Sequence, residues 1–152
     1  DATPADIAIS TNGGYPLDQN IYQSVKGMTA AEATCKEGGV IIMIAACNDG
    51  HGGQSFYDNI SEASSPSEIL KRVRSVAKGD TVPDQWEFKI LARILEKYTV
   101  IMVTDQCDPQ MIKNMHMKHA YNFDEALKMA YEIKGNDAKV VVIPDGVSVI
   151  VK

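Results

Sequence analysis

Val40-Ile41-Ile42-Met43-Ile44-Ala45-Ala46 runs through seven residues without a polar side chain and without alternation. A strand with one wet face alternates polar and apolar residues, so an unbroken apolar run bounded by turn residues predicts a strand covered on both faces, as in a parallel sheet between helices. Three more runs rich in β-branched residues, Ile7 to Ser10, Thr99 to Thr104 and Lys139 to Ile143, predict companion strands.

Between these runs the signals are helical. Ile21, Val25 and Met28 share a face on a short helix after the first strand. Thr29 with Glu32 has the spacing of a capping box and predicts a helix over Ala30 to Glu37, closed by Gly38-Gly39. Ser65-Pro66-Ser67-Glu68 combines an N-cap, a first-turn proline and a returning carboxylate, and predicts a helix to about Lys78, before Gly79. Thr81 to Asp84, with Pro83, opens a helix through Tyr98, and Asn122 with Glu125 opens one that ends near Gly135. Alternating strands and helices predict a three-layer αβα fold of flavodoxin or Rossmann type, with a mostly parallel sheet of four to five strands. Residues 1–152 are expected to form a single α/β domain. Asp1 stands where an initiating Met would be, and a strand pattern begins almost at once, so a piece of a longer or processed protein is expected.

Composition narrows the function. A net charge of -5 argues against nucleic acid, whose binding needs clustered Lys and Arg. No apolar run has the length of a membrane span. Three cysteines at wide spacing, Cys35, Cys47 and Cys107, predict buried reduced thiols in a cytoplasmic protein rather than a disulfide framework.

In open α/β sheets ligands gather beyond the carboxyl ends of strands, where the polar loops Thr11 to Gln19 and Cys47 to Gln54 fall. Asp49-Gly50-His51-Gly52-Gly53 is rich enough in glycine to admit an anion. It matches neither of the established phosphate motifs, so a plain turn is the stronger reading. Gln23 and Lys26 lie one turn apart and could together grip a carboxylate, although such a pair is more often merely solvated. His116 and His119 do not fit a zinc spacing and are expected at the surface; Trp86, in the first turn of its helix, is expected to pack.

The run from Ser10 to Gly27, S-T-N-G-G-Y-P-L-D-Q-N-I-Y-Q-S-V-K-G, closely resembles a motif in the C-terminal domain of the nickel-pincer lactate racemase family. Glu37-Gly38-Gly39 before an apolar strand, the D-G-H-G loop after it and Pro83-Asp84-Gln85-Trp86 extend the likeness over most of the chain. The resemblance implies the second domain of a two-domain isomerase that interconverts enantiomers of lactate or a related 2-hydroxy acid. It implies that the nickel-pincer nucleotide, its tether lysine, the nickel-ligating histidine and two acid/base histidines belong to an N-terminal domain of the same polypeptide, with no cofactor on the isolated chain. By motif position Gln23, Lys26 and Trp86 are then substrate contacts, and Asp49, Gly50 and His51 possible lining of the same cleft. The alternatives are a stand-alone flavodoxin-like module holding a nucleotide or small anion at its glycine loops, and a purely structural subunit.

Overall fold

Along each central strand, side chains divide between two separate cores. Ile7, Ile9, Val40, Ile42, Ile101 and Val103 enter one, while Ala8, Ile41, Met43, Val100 and Met102 enter the other. This alternation of direction in uniformly apolar strands is what a sheet with helices on both faces requires. The computed structural model describes residues 3–77 and 79–149. In chain order the elements are β1 (Ala5–Thr11), α1 (Ile21–Glu32), β2 (Cys35–Ile44), α2 (Gln54–Ser61), α3 (Pro66–Ser75) and α4 (Gln85–Lys97). They continue with β3 (Thr99–Val103), α5 (Pro109–Asn114), β4 (Lys118–Ala120), α6 (Phe123–Lys134) and β5 (Val140–Ile143).

The sheet is parallel throughout, in the order β4-β3-β2-β1-β5. From β1 to β4 the chain steps in one direction, so right-handed crossovers drop α1 to α5 on one face; the return to β5 carries α6 over the other. Among the described residues one face is thus covered by five helices and the other by one. β5 forms an edge, and its Val140 and Val142 remain exposed.

The predicted three-layer architecture holds, and two helix starts are as expected. Ser65 accepts from the Glu68 amide at 3.3 Å, and Asn122 from the Glu125 amide at 2.9 Å. α3 ends at Ser75; its expected end at Lys78 lies outside the described residues. One prediction is overturned. No helix spans Ala30 to Glu37: Asn20 caps α1 earlier, and Ile21, Val25, Met28 and Ala31 continue one buried stripe to Glu32. Thr29 donates to the Lys26 carbonyl inside that helix instead of capping another. Gly38, at φ 76°, and Gly39 lie within β2, near a register shift against β1. A Cβ at Gly39 would meet Cys35 Sγ at 2.6 Å, so glycine is required for strand packing rather than helix termination.

Candidate functional site

The loop after β1 and the loop after β2 are joined by backbone and side-chain bonds. Asp18 accepts from the amides of Ala46 and Cys47, through its carboxylate and its carbonyl respectively, and the Asp49 amide donates to the Gln19 carbonyl at 2.8 Å. Asn20 caps α1 by accepting from the Gln23 amide at 2.9 Å, and its Nδ2 donates to Asp49 at 3.3 Å. Its side chain lies where Gly52, at φ 81°, leaves room: a Cβ there would come within 2.5 Å of Asn20 Cγ. The next amides of α1 are also taken, Ile21 by the Gly50 carbonyl at 3.0 Å and Tyr22 by that of His51 at 3.2 Å. A helix N-terminus attracts phosphate because its first amides lack partners. Here they have them, which closes the N-terminus of α1 to an anion.

α4 packs beside α1, and the two are linked at their first turns. Asp84 takes a left-handed conformation, φ 60°, and makes no side-chain cap. Its carboxylate instead accepts from the Tyr22 hydroxyl at 3.3 Å. The Tyr22 ring meets Trp86 edge to face at 6.0 Å and Phe56 at 5.1 Å, within the range where aromatic pairs attract. Trp86 is 56% exposed, so it is no core residue; it packs on α1 through Tyr22, and the rest of its indole forms an open wall. A groove of about 480 Å³ between α3 and α4, lined by Val73, Val76, Val82 and Lys89 among others, uses that indole as one side.

On the neighbouring face of α1, Lys26 Nζ donates to Gln23 Oε1 at 2.7 Å, and Lys26 is exposed. An ammonium and a carboxamide in contact can rotate together onto a carboxylate, two donors against two oxygens. Gln23 and Lys26 are therefore brought together, and Tyr22 connects their helix to Trp86. Asp49, Gly50 and His51 line the N-terminal end of α1 through the bonds above. His51 Nδ1 accepts from the Gly53 amide at 3.0 Å, so the ring proton sits on Nε2, and the ring stacks on Tyr57 at 5.0 Å.

Four residues at this site were given no role by the sequence. Tyr22 and Asp84 form the link just described. Asn12 Nδ2 donates to the carbonyls of Leu17 and Gln23, fastening the first loop to α1. Glu87 is buried between α1 and α4, 1% exposed, and burial pushes its carboxyl up to about 7, with Lys26 opposing the shift and Asp84 adding to it. For Tyr22, Asp84 and Glu87, the packing of two helices distant in sequence creates these environments.

The histidine expectation is half overturned: His119 is buried, bonded to the Thr104 carbonyl at 2.8 Å, and only His116 is part-exposed. Cys35, Cys47 and Cys107 are free and buried. Among the described residues no three His, Cys, Asp or Glu side chains converge as a metal site, so these residues do not fit nickel; binding and orienting an anion is what they can do. No helix among the described residues is long and apolar enough to cross a membrane.

Residues 1–151 match the family of lactate racemase C-terminal domains. Two curated relatives named lactate racemase, from Thermoanaerobacterium thermosaccharolyticum and Lactiplantibacillus plantarum, are each 58% identical over 151 residues, 99% of this chain. The chain spans 35% and 36% of their respective lengths. The solved structure of the lactate racemase apoprotein from T. thermosaccharolyticum superposes with a TM-score of 0.97 at 58% identity, covering 99% of this chain and 36% of that one.

Proposed function

The chain belongs to the lactate racemase C-terminal domain family, and from that premise we propose that it supplies the substrate-holding wall of a 2-hydroxy acid racemase. In this reading residues 1–152 are one domain of a longer cytoplasmic polypeptide, and the substrate lies between it and an N-terminal domain. The observation that carries the reading is the contact of Lys26 with Gln23 on the helix that Tyr22 ties to Trp86.

Racemisation at the α-carbon of a 2-hydroxy acid needs the substrate's carboxylate held while the hydrogen leaves and returns on either face. Lys26 supplies the charge, Gln23 an amide donor and Trp86 an apolar wall that keeps water off the reacting carbon. A charge-assisted bond of this kind contributes about 1.5–3 kcal/mol. Orientation adds more, up to roughly 7–11 kcal/mol of barrier in ideal cases. In this reading a nickel-pincer nucleotide held by the N-terminal domain would supply the hydride chemistry; among the described residues of this chain no three potential metal ligands converge. Asp49, Gly50 and His51 bond to the N-terminal turn of α1 and so support the helix that carries Gln23 and Lys26.

Steady-state kinetics of the full-length enzyme test the assignment. Lys26→Ala should raise KM for lactate at least tenfold, about 1.4 kcal/mol of lost binding, with a smaller change in kcat. Unchanged kinetics would remove Lys26 from the site.

A further inference from the structure

Glu87 is the one carboxylate at this site with no role in the reading above. It follows Trp86 in the first turn of α4, is enclosed against α1, and its Oε1 has no hydrogen-bond partner among the described residues. A buried carboxylate left without donors is costly, and a buried charge is retained only where a counter-charge or a proton compensates it. Both are at hand. From α1 the groups acting on it are the Lys26 ammonium and the Tyr22 hydroxyl; from its own N-terminal turn it is Asp84, already engaged by Tyr22. Among the described residues α2 and α3, which also pack on α4, contribute no charge that acts on it.

We propose that Glu87 is a positioning residue that competes with a bound carboxylate for the Lys26 ammonium, and that it takes up a proton when that anion arrives. This rests on the reading of Lys26 as the carboxylate anchor. The Tyr22–Asp84 bond sets the first turns of α1 and α4 side by side, so Lys26, one turn on from Tyr22, and Glu87, about one turn on from Asp84, lie on facing helices; with Glu87 ionised, the Lys26 charge is shared between Glu87 and the substrate. With Glu87 protonated, the whole Lys26 charge acts on the substrate. A second anion brought to Lys26 disfavours the charged form of Glu87, so binding draws one proton from the solvent onto the Glu87 carboxyl. Burial already holds this group near about 7, so the exchange falls at neutral pH.

The test uses the full-length enzyme and lactate. Between about pH 6 and pH 8, KM for the wild type should rise with pH, by at most about tenfold per pH unit above the Glu87 midpoint, the limit set by one linked proton. Glu87→Gln, which keeps the shape and cannot ionise, should flatten KM across that range, while kcat keeps its pH profile. Calorimetry of lactate binding in buffers of different ionisation enthalpy should show uptake of up to one proton by the wild type and none by the variant. A KM slope that survives Glu87→Gln overturns the proposal, as does wild-type binding without proton uptake. The second measurement decides even if the variant does not fold. Should Lys26→Ala leave KM unchanged, the anchor assignment itself falls; should it raise KM while the slope survives Glu87→Gln, only the role of Glu87 falls.

Discussion

Tyr22 donates to the carboxylate of Asp84 at 3.3 Å, and through this bond a residue of α1 fixes the turn that presents Trp86. Asp84 gives up its capping role and holds a left-handed backbone to accept that bond. Strain of this sort persists only where surrounding structure compensates it.

Asp84→Gly and Asp84→Ala should therefore separate. Both lose the Tyr22 bond, about 0.5–1.5 kcal/mol. Only alanine retains a side chain penalised at φ 60°, so it should cost about 1 kcal/mol more than glycine. Urea denaturation of the two variants checks the order, and equal costs would show that the backbone is unstrained.

Trp86→Ala should lower kcat more than it raises KM, because the indole is assigned to water exclusion and not to anion binding. Trp86→Phe should recover part of the loss. A variant that changes KM alone would place the indole among the binding groups instead.

Gly27→Ala should destabilise the fold, against the usual helical preference for alanine of about 0.5–1 kcal/mol. The added Cβ would lie 2.5 Å from Asn12 Oδ1 and 2.7 Å from Met43 Cε. Displacing Asn12 also releases the Gln23 carbonyl, so exchange of α1 amide hydrogens should quicken. Unaltered exchange would mean that Asn12 does not hold the helix.

Two carboxylates should give stability opposite dependences on pH. Ser64 and Arg72 donate to Glu68 and hold its carboxyl down to about 2, so its contribution is present above the ordinary value of 4.5 and fades as pH falls toward about 2. Glu87 is raised to about 7, so its neutral form supports the fold below 4.5 and that support fades as pH climbs through about 7. Glu68→Gln should flatten the acid limb and Glu87→Gln the neutral one in denaturation series across pH.

Burial pushes the Cys35 thiol to about 11 and that of Cys47 to about 12, so neither offers thiolate at neutral pH. Iodoacetamide should leave both unmodified in the native chain and label them after denaturation, as mass spectrometry would record. Rapid native labelling of Cys47 would contradict its burial.

The sheet was legible because its central strands are buried on both faces, and the run from Val40 signals that without help from partners. β4 was not, since Lys118-His119-Ala120 is too short and too polar to form a run; β3 and the α5 turn hold it in place. The false helix over Ala30 to Glu37 came from a local spacing at Thr29 that a cap nine residues earlier, at Asn20, overrode. Gln23, Lys26 and Trp86 were singled out as candidates through a motif. Glu87 was not, because its burial arises where α1 and α4, distant in sequence, meet; Asp84 stood in the matched stretch Pro83 to Trp86, but its bond to Tyr22 could not be read there. Much of that motif, Asp18 and Asn20 above all, turns out to build loops rather than to face the cleft.

The valine-lined rim at β5 bears on handling the molecule. A parallel edge whose outward amides and carbonyls meet no further strand among the described residues is a template for adding one, and Val140 and Val142 make that rim sticky. Preparations of this segment on its own should clump there first as concentration rises, and a lysine in place of Val142 is the simplest remedy.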